Sequence, residues 1–184
     1  MMAARRILAW ALLATGSVFA TTLEKLTLDD MVLKSTEIVR GRVVDISTVR
    51  QGPLIVTQIR AVVTERWKGP QASVVEVYLH GGTFQGLRQT FSGTPELASG
   101  AEYVFFLWAG KSGRRQIIGL SQGLFDIVPA SEKSGSSSAA LTARRAAISD
   151  MRDASTGGAV DDPAIVIPLD TLRARVMRTL GAAR

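Results

Sequence analysis

Few side chains in this sequence are arranged as catalysis or metal binding would demand. Gly119-Leu120-Ser121-Gln122-Gly123 matches G-x-S-x-G, the strained strand-to-helix turn that exposes a nucleophilic serine in α/β-hydrolases. The residues that follow, Leu124-Phe125-Asp126-Ile127-Val128-Pro129, have a strand pattern instead of a helix pattern. The only histidine, His80, precedes the serine, whereas in that fold it follows. A glycine-rich turn is the expected reading, and Ser121 with His80 is the one serine-base pairing a hydrolase could use. Glu65, Glu76 and Glu102 could supply a carboxylate pair for glycoside chemistry, provided two of them lie roughly 5 to 9.5 Å apart. One histidine and no cysteine argue against a protein-built zinc site, so no metal and no cofactor are expected.

The segment His80-Gly81-Gly82-Thr83-Phe84-Gln85-Gly86 lacks the Lys-Ser or Lys-Thr pair of a phosphate-cradling loop. It reads as a long shaped loop running to Ser92. His80, Phe84 and Arg88 are its candidate ligand-binding residues, since glycines permit close approach and an aromatic among Gly, Thr and Gln is poorly explained as core. The competing reading makes Phe84 or Phe91 a plug folded back over the core.

The elements that must position these residues are mostly strands. Period-two runs rich in β-branched residues cover 38–46, 54–67, 74–79, 103–108, 116–118 and 124–128, with turns at Gln51-Gly52-Pro53 and Lys68-Gly69-Pro70. A short helix is predicted over 27–36, where Thr27 and Asp30 have capping-box spacing and Leu28, Met31 and Val32 share a face. Ser131 to Ala140 is low in complexity, and 131–163 is expected to be a flexible linker, with a short basic helix within it over 141–153. A C-terminal amphipathic helix is predicted for 164–184, where Asp170 can cap it and Leu172, Val176 and Leu180 line one face. It either docks on the strands or serves as a partner-binding tail.

The first twenty residues read as an address. Arg5 and Arg6 precede an apolar run from Ile7 to Thr15, and Val18 and Ala20 are small residues at cleavage spacing, which predicts a signal peptide cut after Ala20 and a mature start at Thr21. An uncleaved anchor is the alternative, although Gly16 and Ser17 interrupt the run. The protein is therefore expected in a periplasm or outside the cell, with no membrane association after cleavage. Absence of cysteine suits a bacterial exported protein stabilised by a core, over residues 21–130, and not by disulfides.

Removing the two arginines of residues 1–20 lowers the formal charge from +6 to +4. The remaining bases alternate with acids (Arg40, Arg42, Asp45; Glu65, Arg66, Lys68), so nucleic acid is not the expected partner.

The run Ile38-Val39-Arg40-Gly41-Arg42-Val43-Val44, the run Val63-Thr64-Glu65-Arg66-Trp67-Lys68-Gly69, and Gly100-Ala101-Glu102-Tyr103-Val104-Phe105-Phe106 resemble the netrin-like module, the oligonucleotide-binding (OB) type barrel also found in tissue inhibitors of metalloproteinases. The resemblance covers about residues 36–128 and extends to cysteine-free bacterial exported proteins. It implies a five- to six-stranded, partly closed OB-like barrel of the kind that often binds ligands across one sheet face and its loops. The helix read before the barrel departs from the inhibitors' pattern, and with it the expected fold is mainly β, a netrin-like barrel with a short N-terminal helix and a C-terminal helix. The inhibitors chelate zinc through an N-terminal cysteine that this chain lacks, so their activity does not carry over. An exported, non-enzymatic binding module for an envelope or extracellular protein, peptide or glycan is the expected function, with an exported hydrolase as the alternative.

Overall fold

The computed structural model describes residues 23–130, 140–152 and 158–183. The expected signal peptide and residues 131–139 and 153–157 of the expected linker lie outside the described residues. Among the described residues the fold is mainly β with two α-helices, and its thirteen strands exceed the expected five or six.

Alternating apolar side chains build the central hairpin. β2 (Glu37–Gln51) and β3 (Leu54–Lys68) are joined by Gly52-Pro53 and pair antiparallel along their whole length, with register shifts at Ile38/Val39, Arg40/Gly41 and Val43/Asp45. β4 (Val74–His80) pairs with β3, and β7 (Glu102–Ala109) pairs with the first half of β2. β8 (Arg115–Ile117) pairs parallel with β4 and antiparallel with β7. The pairings thus run β2, β3, β4, β8, β7 and return to β2. β9 (Leu124–Pro129) adds to β7.

β7 is buried on both faces, and this divides the core in two. Tyr103, Phe105 and Leu107 join Val39, Val43, Ile59, Ala61, Val75, Val77 and Ile117, the alternate positions of the circuit strands. Val104 and Phe106 face the other way, into a cluster with Met31 and Val32 of α1 (Leu28–Lys34) and Leu169, Leu172 and Val176 of α2 (Leu169–Ala182). Strands covered on both sides read as unbroken apolar runs, as Val104-Phe105-Phe106-Leu107 does. The capping box of α1 forms as its spacing predicts: Asp30 N–H donates to Thr27 Oγ1 at 3.1 Å and Thr27 N–H to the Asp30 carboxylate at 3.2 Å. The hydrogen bonds from Thr27 hold the Asp30 carboxyl below its ordinary value.

The region after Ala140 departs from expectation. In place of a basic helix over 141–153 there are two strands, β10 (Leu141–Arg145) and β11 (Ile148–Arg152), and β12 (Ala159–Asp162) also falls in the expected linker. The outer edge of β9 offers unpaired backbone, and β10 occupies it from Asp126 to Pro129. Ala143 and Arg145 then turn inward while Arg144 faces solvent, so pairing overrides the helical preference of an Ala- and Arg-rich stretch. β13 (Ile165–Pro168) pairs with β10, which delays the C-terminal helix to Leu169; Pro168 stands at its cap and Asp170 lies in its first turn. β11 and β12 form a separate small sheet with β1 (Leu23–Glu24).

Helix α2 is docked, since Leu172 and Val176 are wholly buried. Leu172→Ala is expected to lower stability by about 2 to 5 kcal/mol in chemical denaturation. An unchanged unfolding midpoint would mean that α2 is a free tail in solution.

Candidate functional site

Where β4 ends, the chain folds back over the distal half of the β2–β3 hairpin. Gly81 N–H donates to Ile55 C=O at 2.8 Å, Thr57 Oγ1 donates to Gly81 C=O at 2.7 Å, and Ile55 N–H donates to Gln89 Oε1 at 2.7 Å. Gly82 sits at φ +128°, and a Cβ there would stand 2.5 Å from Thr57 Oγ1, so only glycine permits this approach. The loop carries a small hairpin of β5 (Gly82–Phe84) and β6 (Leu87–Gln89).

Between this loop, its continuation to Leu97, and the strands lies a cavity of about 330 Å³. Ile46, Ile59, Leu79 and Leu97 give it apolar lining; His80, Arg88, Phe91, Thr94 and Glu96 give it polar and aromatic lining. The volume is at the small end of ligand pockets, enough for a side chain or a sugar ring. The His80 ring meets the Phe91 ring edge-on with centroids 5.9 Å apart. Arg88 and Glu96 approach to 3.9 Å, but both are exposed, so their pairing contributes little and leaves them available. Thr94 Oγ1 is buried with no hydrogen-bond partner.

Two of the three expected ligand-binding residues, His80 and Arg88, therefore meet in one cavity. Phe84 stands half-buried on β5, outside its lining. Phe91, Thr94 and Glu96 were not singled out as ligand contacts by the sequence; the nearest local signal is the turn-forming Gly93-Thr94-Pro95 that returns the chain over the hairpin.

Ser121 lies in a 3-10 turn, Leu120–Gly123, that leads straight into β9 and not into a helix. Its backbone N–H donates to Gly93 C=O at 3.1 Å, and its side chain is outside the cavity lining. The work of the motif falls on Gln122, which is wholly buried: its Oε1 accepts from Leu26 N–H and its Nε2 donates to Glu24 C=O, both at 2.8 Å. Gly119, at φ +59°, leaves the room this amide needs, because a Cβ there would lie 2.8 Å from Gln122 Nε2.

The three candidate carboxylates have separate engagements, and none lines the cavity. Glu65 pairs with Arg173 of α2, and Glu76 accepts from the Tyr78 hydroxyl. Glu102 is held by Arg40 at 2.9 Å, Thr64 at 2.9 Å and Arg42 at 3.5 Å. Its burial favours the neutral acid, but these hydrogen bonds and the two guanidinium charges outweigh it and hold the carboxyl below its ordinary value. That is the opposite of what a general acid requires. Among the described residues no group of three or more His, Cys, Asp or Glu is placed to hold a metal ion.

Comparison with known protein families and with curated proteins finds no matching family model and no similar curated protein.

Gln122→Ala should destabilise by about 1 to 3 kcal/mol, because it empties a wholly buried side-chain site and removes both hydrogen bonds to the Glu24–Leu26 segment, while Ser121→Ala should stay within about 0.5 kcal/mol. Equal effects in urea unfolding would contradict this division of roles. The contribution of Glu102 has a definite pH sign. Its folded value lies below the ordinary 4.5, so its stabilisation is complete above that pH and is lost as pH falls through the folded value. Glu102→Gln should flatten the acid limb of the stability profile; an unaltered limb would show that Glu102 is not its source.

Proposed function

We propose that this protein is an exported, non-enzymatic binding module, and that its ligand enters the cavity beneath the 80–97 loop. The observation that carries the reading is the convergence of His80, Arg88, Phe91 and Glu96 on one concave surface over an apolar floor. An apolar pocket with a few converging polar groups is the usual form of a binding site. The return of the strand pairings from β7 to β2, with parallel β4 and β8, supports an OB-like barrel, a fold whose loops and sheet face commonly hold ligands. Arg5, Arg6 and the apolar segment that follows support export. Among the described residues no helix is long and apolar enough to cross a membrane. The ligand classes that suit an envelope or extracellular setting are proteins, peptides and glycans.

The test is titration of the mature protein with arrays of oligosaccharides and blocked peptides, repeated with the Arg88→Ala/Phe91→Ala double variant. Both side chains are exposed, so melting should hardly move. Affinity for the captured ligand should fall at least about tenfold, as it does when an aromatic and an Arg contact are removed. Ligands that bind both proteins equally would place the site elsewhere.

A further inference from the structure

Among the described residues, β2 is paired along its inner edge for its whole length and along its outer edge for only half. β7 covers Glu37 to Arg42, after which Gly100 N–H and Ala101 C=O bond to Val43. From Val44 to Gln51, no described residue makes a backbone bond to that outer edge.

Alternation fixes which residues face it. In an antiparallel ladder, opposed residues either exchange both of their hydrogen bonds or turn both away from each other. Ile55 uses its N–H on Gln89 and its C=O on Gly81, both on the β4 side. Arg50, which opposes Ile55, therefore turns its own N–H and C=O outward, and so do Thr48 and Ile46. The register shift between Val43 and Asp45 accounts for the change of parity: Val43 faces outward on one side of the bulge and Ile46 on the other.

Such an edge invites another strand. No Pro or Lys interrupts 44–51, and Val44 and Ile46 are exposed large apolar residues. Ile46 also lines the cavity, so edge and cavity are continuous. We propose that the outer edge from Ile46 to Arg50 is a β-augmentation site for an extended segment of a partner protein. The segment adds antiparallel, along the line that β7 takes beyond Val43. It places an acidic side chain opposite Arg50 and, four residues later on the same face, an apolar one opposite Ile46 at the cavity. This rests on the binding-module reading and names its ligand class. The spacing of outward donors and acceptors is that of an extended backbone, which a glycan does not reproduce. A second copy of the chain fits less well: symmetric pairing sets even positions against even ones, so Asp45 never opposes Arg50, and Arg50 meets Ile46, Thr48 or another Arg50.

The experiment pans a displayed random octapeptide library on the mature protein and uses the enriched sequences as free, blocked peptides. Binding should slow amide exchange at Ile46, Thr48 and Arg50 by roughly tenfold or more, with Ser47 and Val49, already in the ladder, little changed. Thr48→Pro removes an outward N–H that the ladder does not use, so the fold should persist while peptide affinity falls roughly tenfold. Should that variant misfold, the exchange pattern of the wild-type protein decides by itself. Failure to enrich any peptide, or enriched peptides that protect none of the three amides, overturns the proposal. Peptides or glycans that leave the edge amides unprotected yet lose affinity in the Arg88→Ala/Phe91→Ala variant would overturn the edge while sustaining the cavity. Protection that arises only from self-association, seen by sedimentation and abolished by Thr48→Pro, would assign the edge to a second copy and equally overturn it.

Discussion

Phe105 and Phe106 are consecutive on β7, both wholly buried, and they point into different cores. Nearly everything else follows from that division. Phe105 serves the interior of the strand circuit, so β2, β3, β4 and β8 must surround it; Phe106 serves the outer layer, so α1, α2 and the β9–β10 extension must cover it. A strand with one wet face would need neither the return of β8 to β7 nor the helices.

Charges inside the fold mark where its parts are joined. Glu37, on the first residue of β2, accepts from Arg66 of β3 and from Arg115 of β8, and its side chain is almost completely buried. It therefore links one side of the strand circuit to the other. Arg145 of β10 and Asp162 of β12, also buried, are 2.7 Å apart and connect the large sheet to the small one. The Arg145 guanidinium also lies 5.9 Å from the centre of the Phe125 ring. Buried pairs contribute little net stability because desolvation offsets their attraction, but they strongly disfavour arrangements that would separate the partners. Their place at the joints suits a part in specifying how the layers meet.

The cavity and the open edge have a common origin in the length of the β2–β3 hairpin. Its distal half extends past the pairing with β7, leaving one face for the 80–97 loop to cover and one edge that no described residue bonds through its backbone. The loop is seated by the Gly81 N–H donating to Ile55, by Thr57 donating to Gly81, by Gln89 accepting from Ile55, and by Leu97 packing against the core, which leaves His80, Arg88 and Phe91 at the surface.

Features that depend on near neighbours were legible in the chain. Alternating β-branched residues and the Gly-Pro turn specify the hairpin, the Thr27 and Asp30 spacing specifies the cap of α1, and five of the six strand runs lie within one residue of their observed bounds, whereas β2 continues past its expected end at Ile46 to Gln51. The sequence also singled out His80 and Arg88, which stand on β4 and β6 and line one cavity. Tertiary structure decided what depends on distant partners. Leu141–Arg145 became a strand because β9 presented an edge, Gln122 and not Ser121 became the working residue of its motif because the segment Glu24–Leu26 lay within reach, and Phe91 joined the site in place of Phe84 because of how the loop is seated. Period and capping are written in residues a few positions apart. Burial, edge pairing and cavity lining depend on contacts across tens of residues, which local pattern does not encode.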